Sequence, residues 1–134
     1  MNDKDLAKAE DIAKEIEEGK LREERYKKRT RRRNKIERDL LEQLGEENKN
    51  DSHYKELIKD YLFMWDTIQE LKLDIKERGV SVFWQNGEHQ KGYKKNDSIR
   101  EMTTVSNQML KILSDLGLKP SKAEKDGDDG EILL

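Results

Sequence analysis

Gly79-Val80-Ser81-Val82-Phe83-Trp84-Gln85-Asn86-Gly87-Glu88-His89-Gln90-Lys91-Gly92-Tyr93-Lys94-Lys95-Asn96-Asp97-Ser98 is the stretch on which the fold turns. Its first half alternates and is rich in β-branched and aromatic residues, Asn86-Gly87 is a strong hairpin signal, and Glu88 through Tyr93 can pair back across it. A two-residue turn at Asn86-Gly87 sets Trp84 opposite His89 and Val80 opposite Tyr93 on one face, with Phe83 pointing the other way. A lone two-stranded hairpin is marginal in water, so this one must rest on helices or on a neighbour's hairpin.

The flanks supply the helices. Upstream, Leu57, Ile58, Tyr61, Leu62, Trp65, Ile68, Leu71 and Ile75 recur at spacings of three and four, with Asp51 or Ser52 as the cap and Gly79 as the stop. Phe63, Met64 and Leu73 fall outside this stripe and form a second, weaker apolar side, so the helix is expected to touch more than one partner. Downstream, Asn96, Asp97 and Ser98 open another helix, and Ser98 with Glu101 reads as a capping box. Its stripe is Ile99, Met102, Val105, Met109, Ile112, Leu113 and Leu116, closed by Gly117 with Pro120 beyond. The expected fold class is mainly α: a helix, β-hairpin, helix core over residues 54–120.

Residues 1–45 read as a charged helical arm. Leu6, Ala9, Ile12, Ala13 and Ile16 make a thin amphipathic stripe that Gly19 is expected to interrupt. A basic block follows: Lys20, Arg22, Arg25, Lys27, Lys28, Arg29, Arg31, Arg32, Arg33, Lys35 and Arg38, opposed only by Glu23, Glu24 and Glu37. It leads into Ile36, Leu40, Leu41 and Leu44, whose spacing carries the helix to Gly45. Residues 46–53 hold turn formers and read as a linker. Residues 121–134 read as an acidic tail, expected to be flexible, closing on Ile132-Leu133-Leu134.

Composition narrows the function. Only 32% of the 134 residues are hydrophobic and 43% are charged, against typical values of about 45–50% and about 25%. So small a core favours helices that bury their stripes against neighbouring copies, and an oligomer is expected. The absence of cysteine removes disulfides, thiolate metal sites and thiol nucleophiles. No run is apolar enough to span a bilayer and the acidic N-terminus is unlike a signal peptide, so the chain is not expected in a membrane. His53 falls in the linker and His89 in the hairpin, without a partner at catalytic or ligand spacing. There is no Gly-rich phosphate loop, and the Trp65 and Met102 to Met109 positions read as core packing, so neither enzyme activity nor a cofactor or metal is expected.

The basic block is the feature whose chemistry is legible. Clustered Arg and Lys neutralise phosphates and release condensed counterions, and one sign dominates so strongly here that a merely solvated face is the weaker reading. Arg22, Arg25, Lys27, Lys28, Arg29, Arg31, Arg32, Arg33, Lys35 and Arg38 are the candidate DNA-contacting residues, with Thr30 and Asn34 within reach of base edges. Repeated around a multimer, the block would gain avidity. Leu57, Tyr61, Trp65, Ile68, Trp84, Met102, Met109 and Ile112 are the candidates for the interface between copies. The alternative is a structural or adaptor protein whose charged helix forms a coiled coil or binds an acidic protein surface.

One set of residues is more specific than composition: Gly79-Val80, Trp84-Gln85-Asn86-Gly87, Gly92-Tyr93-Lys94-Lys95-Asn96-Asp97, and Met109-Leu110-Lys111-Ile112-Leu113-Ser114-Asp115-Leu116-Gly117-Leu118-Lys119-Pro120-Ser121. Their order resembles the small subunit of tailed-phage terminases over roughly residues 36 to 121. The resemblance implies a ring-like oligomer in the host cytoplasm that binds double-stranded phage DNA at the packaging site. It also implies delivery of that DNA to a large terminase subunit holding the ATPase and nuclease. In many relatives the closing motif continues with Arg, whereas Ser121 here is followed by Lys122, Ala123 and acid. DNA contact is therefore expected from the basic block, and Ile132, Leu133 and Leu134 are the candidates for docking the large subunit.

Overall fold

The computed structural model describes residues 2–48 and 50–118. The element order is α1 (Asp3–Leu44), α2 (Ser52–Arg78), β1 (Ser81–Asn86), β2 (Gln90–Lys95) and α3 (Asp97–Asp115). The fold is mainly helical, with a two-stranded antiparallel hairpin between helices. The chain divides into two compact units, Met1–Arg38 and Asp39–Leu134, so the last turns of α1 count with the body rather than with the arm.

α1 runs without a break through Gly19. The interruption expected there does not occur, because one helical glycine costs only about 1 kcal/mol relative to alanine and is flanked on both sides by strong helix formers. The helix stops at Gly45, which takes φ +82°, a conformation that glycine adopts without penalty. The Gly45 amide donates to the Glu42 carbonyl at 3.2 Å.

Within the body, Leu40, Leu44, Ile58, Leu62, Trp65, Ile68, Ile112 and Leu116 are buried, and α2 packs against α3. Asp51 caps α2 by accepting from the His53 amide at 2.9 Å, and Gly79 ends it with φ +81°. At the far end of α3, Gly117 (φ +74°) lets the Leu118 amide reach back to the Leu113 carbonyl at 2.9 Å, a Schellman-type closure. Pro120 lies outside the described residues.

The hairpin register differs from the expected one. Asn86 pairs with Gln90, leaving Gly87, Glu88 and His89 as the loop, and Trp84 faces Gly92 while Phe83 faces Tyr93. Val80 precedes β1 rather than pairing with Tyr93. Two contacts account for this choice. Phe83 and Tyr93 meet edge to face with centroids 5.6 Å apart, and the Trp84 indole lies over Gly92, where an added Cβ would stand 3.4 Å from its Nε1. That distance is at the near edge of ordinary van der Waals contact, so Gly92 gives the indole room on the strand without being strictly required for it.

A polar clamp joins the hairpin base to both helices. The Asp74 carboxylate on the last turns of α2 accepts from Arg78 at 2.6 and 2.7 Å, from the Ser98 hydroxyl at 2.6 Å and from the Asn96 amide at 3.2 Å. Asn96, only 1% exposed, also donates to the Gly79 carbonyl at 3.0 Å. Its Oδ1 caps α3 by accepting from the Ser98 amide at 3.0 Å, and its backbone N–H donates to the Val80 carbonyl at 2.8 Å. The expected capping box is thus replaced: Asn96 is the cap, and the Ser98 hydroxyl is spent on Asp74. Hydrogen bonds from Arg78 first, then from Ser98 and Asn96, hold the Asp74 carboxyl well below the usual carboxylate range.

Candidate nucleic-acid interface

The ten basic candidates all stand on α1, where a period of 3.6 residues sorts them onto two sides. Lys27, Lys28, Arg31, Lys35 and Arg38 share one side, and all five are exposed. Arg22, Arg25, Arg29, Arg32 and Arg33 share the other, with Arg29 and Arg33 half-buried. The two sides are separated on one flank by Tyr26, Thr30, Asn34, Glu23 and Glu37. The Arg29 guanidinium sits 5.9 Å from the Tyr26 ring centroid, within cation–π range, and Lys27 pairs with Glu23 at 3.4 Å. Both contacts are on the surface and contribute little to stability. At 1.5 Å per residue, Lys27 to Arg38 spans roughly 16 Å, or about five base-pair steps of duplex backbone at 3.4 Å each. The five exposed cations of the first side form a row of that length along the helix.

The candidate interface residues fare differently. Trp65, Ile68 and Ile112 are buried in the body's own core, and a side chain covered within its chain has little surface to offer a neighbour. Leu57, Tyr61, Met102 and Met109 are half-buried, and burial pushes the Tyr61 hydroxyl pKa up. Trp84 keeps part of its ring exposed above Gly92. Phe63 on α2 and Leu110 on α3 are more exposed than any of these; Phe63 was legible as part of the weaker apolar side, and Leu110 as an apolar residue between Met109 and Ile112 but off their stripe. Ile132, Leu133 and Leu134 lie outside the described residues.

Sequence periodicity also passed over the outer face of the hairpin. With Phe83 across from Tyr93, the side chains of Ser81, Phe83, Gln85, Lys91, Tyr93 and Lys95 share one face, and all six are exposed. The signal was present in the aromatic and lysine content of Lys91-Gly92-Tyr93-Lys94-Lys95, but the face could be assembled only once the register was known. Lys94, on the opposite face, pairs with Asp97 at 3.3 Å.

Among the described residues there is no group of three or more His, Asp or Glu side chains placed to hold a metal ion, and no helix long and apolar enough to cross a membrane. A long helix bearing a block of cations, followed by a small helix, hairpin, helix body, defines a mainly helical protein with a strongly basic first helix. The family described as phage terminase, small subunit, matches residues 34–126, well over half of the chain, and the chain belongs to that family. Lys35 and Arg38 fall inside the matched region, whereas Arg22 through Arg33 precede it. No curated protein and no solved structure matches the chain.

Proposed function

We propose that this terminase small subunit is a non-catalytic, DNA-binding homo-oligomer, arranged as a ring, that recognises viral DNA at the packaging site in the host cytoplasm. It recruits and regulates the large terminase subunit, which carries the ATPase and nuclease. The family membership supports the general role. The observation that carries the DNA reading is the exposed row Lys27, Lys28, Arg31, Lys35 and Arg38 on an unbroken helix. In this reading the row contacts phosphates, Arg22, Arg25, Arg29, Arg32 and Arg33 add to the field, and Leu57, Tyr61, Trp84, Met102 and Met109 contribute to the contacts between copies. The tail ending Ile132-Leu133-Leu134 docks on the large subunit.

A salt titration of duplex binding tests it. Replacing Lys27, Arg31, Lys35 and Arg38 together by Glu should weaken binding at least about a hundredfold at moderate salt and flatten the slope of log K against log salt by roughly 3 to 4, at about 0.9 per phosphate contact. Oligomer mass should stay the same. An unaltered slope would remove the arm from the DNA interface.

One observation favours the structural or adaptor reading: Leu6, Ile12, Ile16 and Leu21 on α1 are all at least half exposed, as a helix awaiting a coiled-coil partner would be. That reading predicts that the same four reversals leave duplex affinity unchanged and instead alter association with an acidic protein.

A further inference from the structure

We propose that the outer face of the hairpin is a stacking platform for unpaired nucleic-acid bases, separate from the phosphate-binding row on α1. Tyr93 is 77% and Phe83 54% exposed, and the two rings meet edge to face at 5.6 Å. Their contact holds the two rings side by side on a hydrogen-bonded strand pair, where both stay open to a base. Lys91 and Lys95 stand two residues to either side of Tyr93 and share its face, and none of the six residues of that face is acidic. Rings flanked by cations at strand spacing fit a polynucleotide, whose bases stack on the rings while the adjoining phosphates meet the ammonium groups.

Taken alone, the face is too small for a stable contact with another copy. Two strands of six residues, at about 3.3 Å per residue and 4.8 Å between strands, present a face on the order of 200 Å². A stable protein interface buries roughly 800 Å² on each side. The same face accommodates one or two nucleotides. A paired duplex hides its bases in the stack and cannot use the rings, so the ligand is single-stranded DNA or RNA, or an unpaired end.

The proposal stands independently of duplex binding by α1, and its test separates the two. Fluorescence anisotropy of the full chain would compare a labelled oligothymidylate with an abasic oligomer of equal length, which carries the same phosphates and no bases. The wild-type chain should prefer the thymidylate by about tenfold or more, since each stacked base contributes about 1–3 kcal/mol. Tyr93→Ala should abolish that preference while leaving duplex affinity and far-UV circular dichroism unchanged, and Tyr93→Phe should retain it. Equal affinity of the wild-type chain for the two oligomers would overturn the proposal, as would a preference that survives Tyr93→Ala. A Tyr93→Ala change in oligomer mass without any change in base preference would assign the face to a contact between copies and also overturn it. Glu substitutions in α1 lower both oligomer affinities together and leave their ratio intact.

Discussion

From Asn2 to Arg38 no side chain is buried, whereas eight apolar side chains are buried among the described residues of the body. Both regions are helical, and they are helical for different reasons. In the body, α2 and α3 are held by the stripes they bury against each other, with the clamp at Asp74 and Asn96 fixing the hairpin between them. In the arm, little beyond backbone hydrogen bonds, helix-forming residues and surface pairs such as Lys27 with Glu23 supports the helix, and such support is weak. The lesson is a division of labour. One region spends its sequence on burial, and the other gives up burial to present charge.

That contrast can be broken most directly in the core. Ile68 is 4% exposed, and Ile68→Ala should destabilise the body by about 2–5 kcal/mol. Leu21→Ala, on the exposed arm, should change stability by less than about 0.5 kcal/mol. Thermal unfolding followed by near-ultraviolet circular dichroism measures both. Comparable losses would mean that the arm is packed after all.

A smaller effect is expected at the clamp. Asn96→Ala removes the α3 cap, worth about 0.5–2 kcal/mol, and strands the Gly79 carbonyl it satisfied. Hydrogen exchange should show the hairpin amides opening before the helices, without loss of the α2 and α3 core. Acid tests the same clamp. The Asp74 pKa is depressed in the folded chain, so its contribution is fully present above the ordinary carboxylate pKa and is lost only as pH falls through the lowered value. Hairpin signals should therefore persist through the pH range in which exposed carboxylates titrate, and collapse near pH 4 would contradict the geometry.

The smallest effect belongs to the arm. Gly19 lies mid-helix with nothing within 4 Å of the position a Cβ would take. Gly19→Ala should raise helix content and stabilise the arm by about 0.5–1 kcal/mol, leaving the body's unfolding transition where it was. A shift of that transition would couple the two regions.

Much of this was legible in the sequence, and the failures share a cause. The three helices were readable because apolar spacing of three and four is a local property, and Gly45, Gly79 and Gly117 do take the positive φ that ends a helix. The basic block was legible as charge. The hairpin's existence followed from Asn86-Gly87, but its register did not, because pairing was decided by Tyr93 and Gly92 finding Phe83 and Trp84, which a turn rule does not weigh. The capping box at Ser98 failed for the same reason: its hydroxyl had a stronger acceptor in Asp74, 24 residues away. Trp65, Ile68 and Ile112 are buried within the chain itself, and periodicity alone does not say whose surface covers a stripe.

The indole resting on Gly92 gives the molecule a built-in optical probe. The chain has two tryptophans, one enclosed in the core at Trp65 and one lying across the strands at Trp84, so replacing either by Phe leaves a single emitter. With Trp65→Phe the remaining fluorescence follows strand separation, and with Trp84→Phe it follows loosening of the helices. The order in which these two parts come undone can therefore be timed in one cuvette, without attaching a dye.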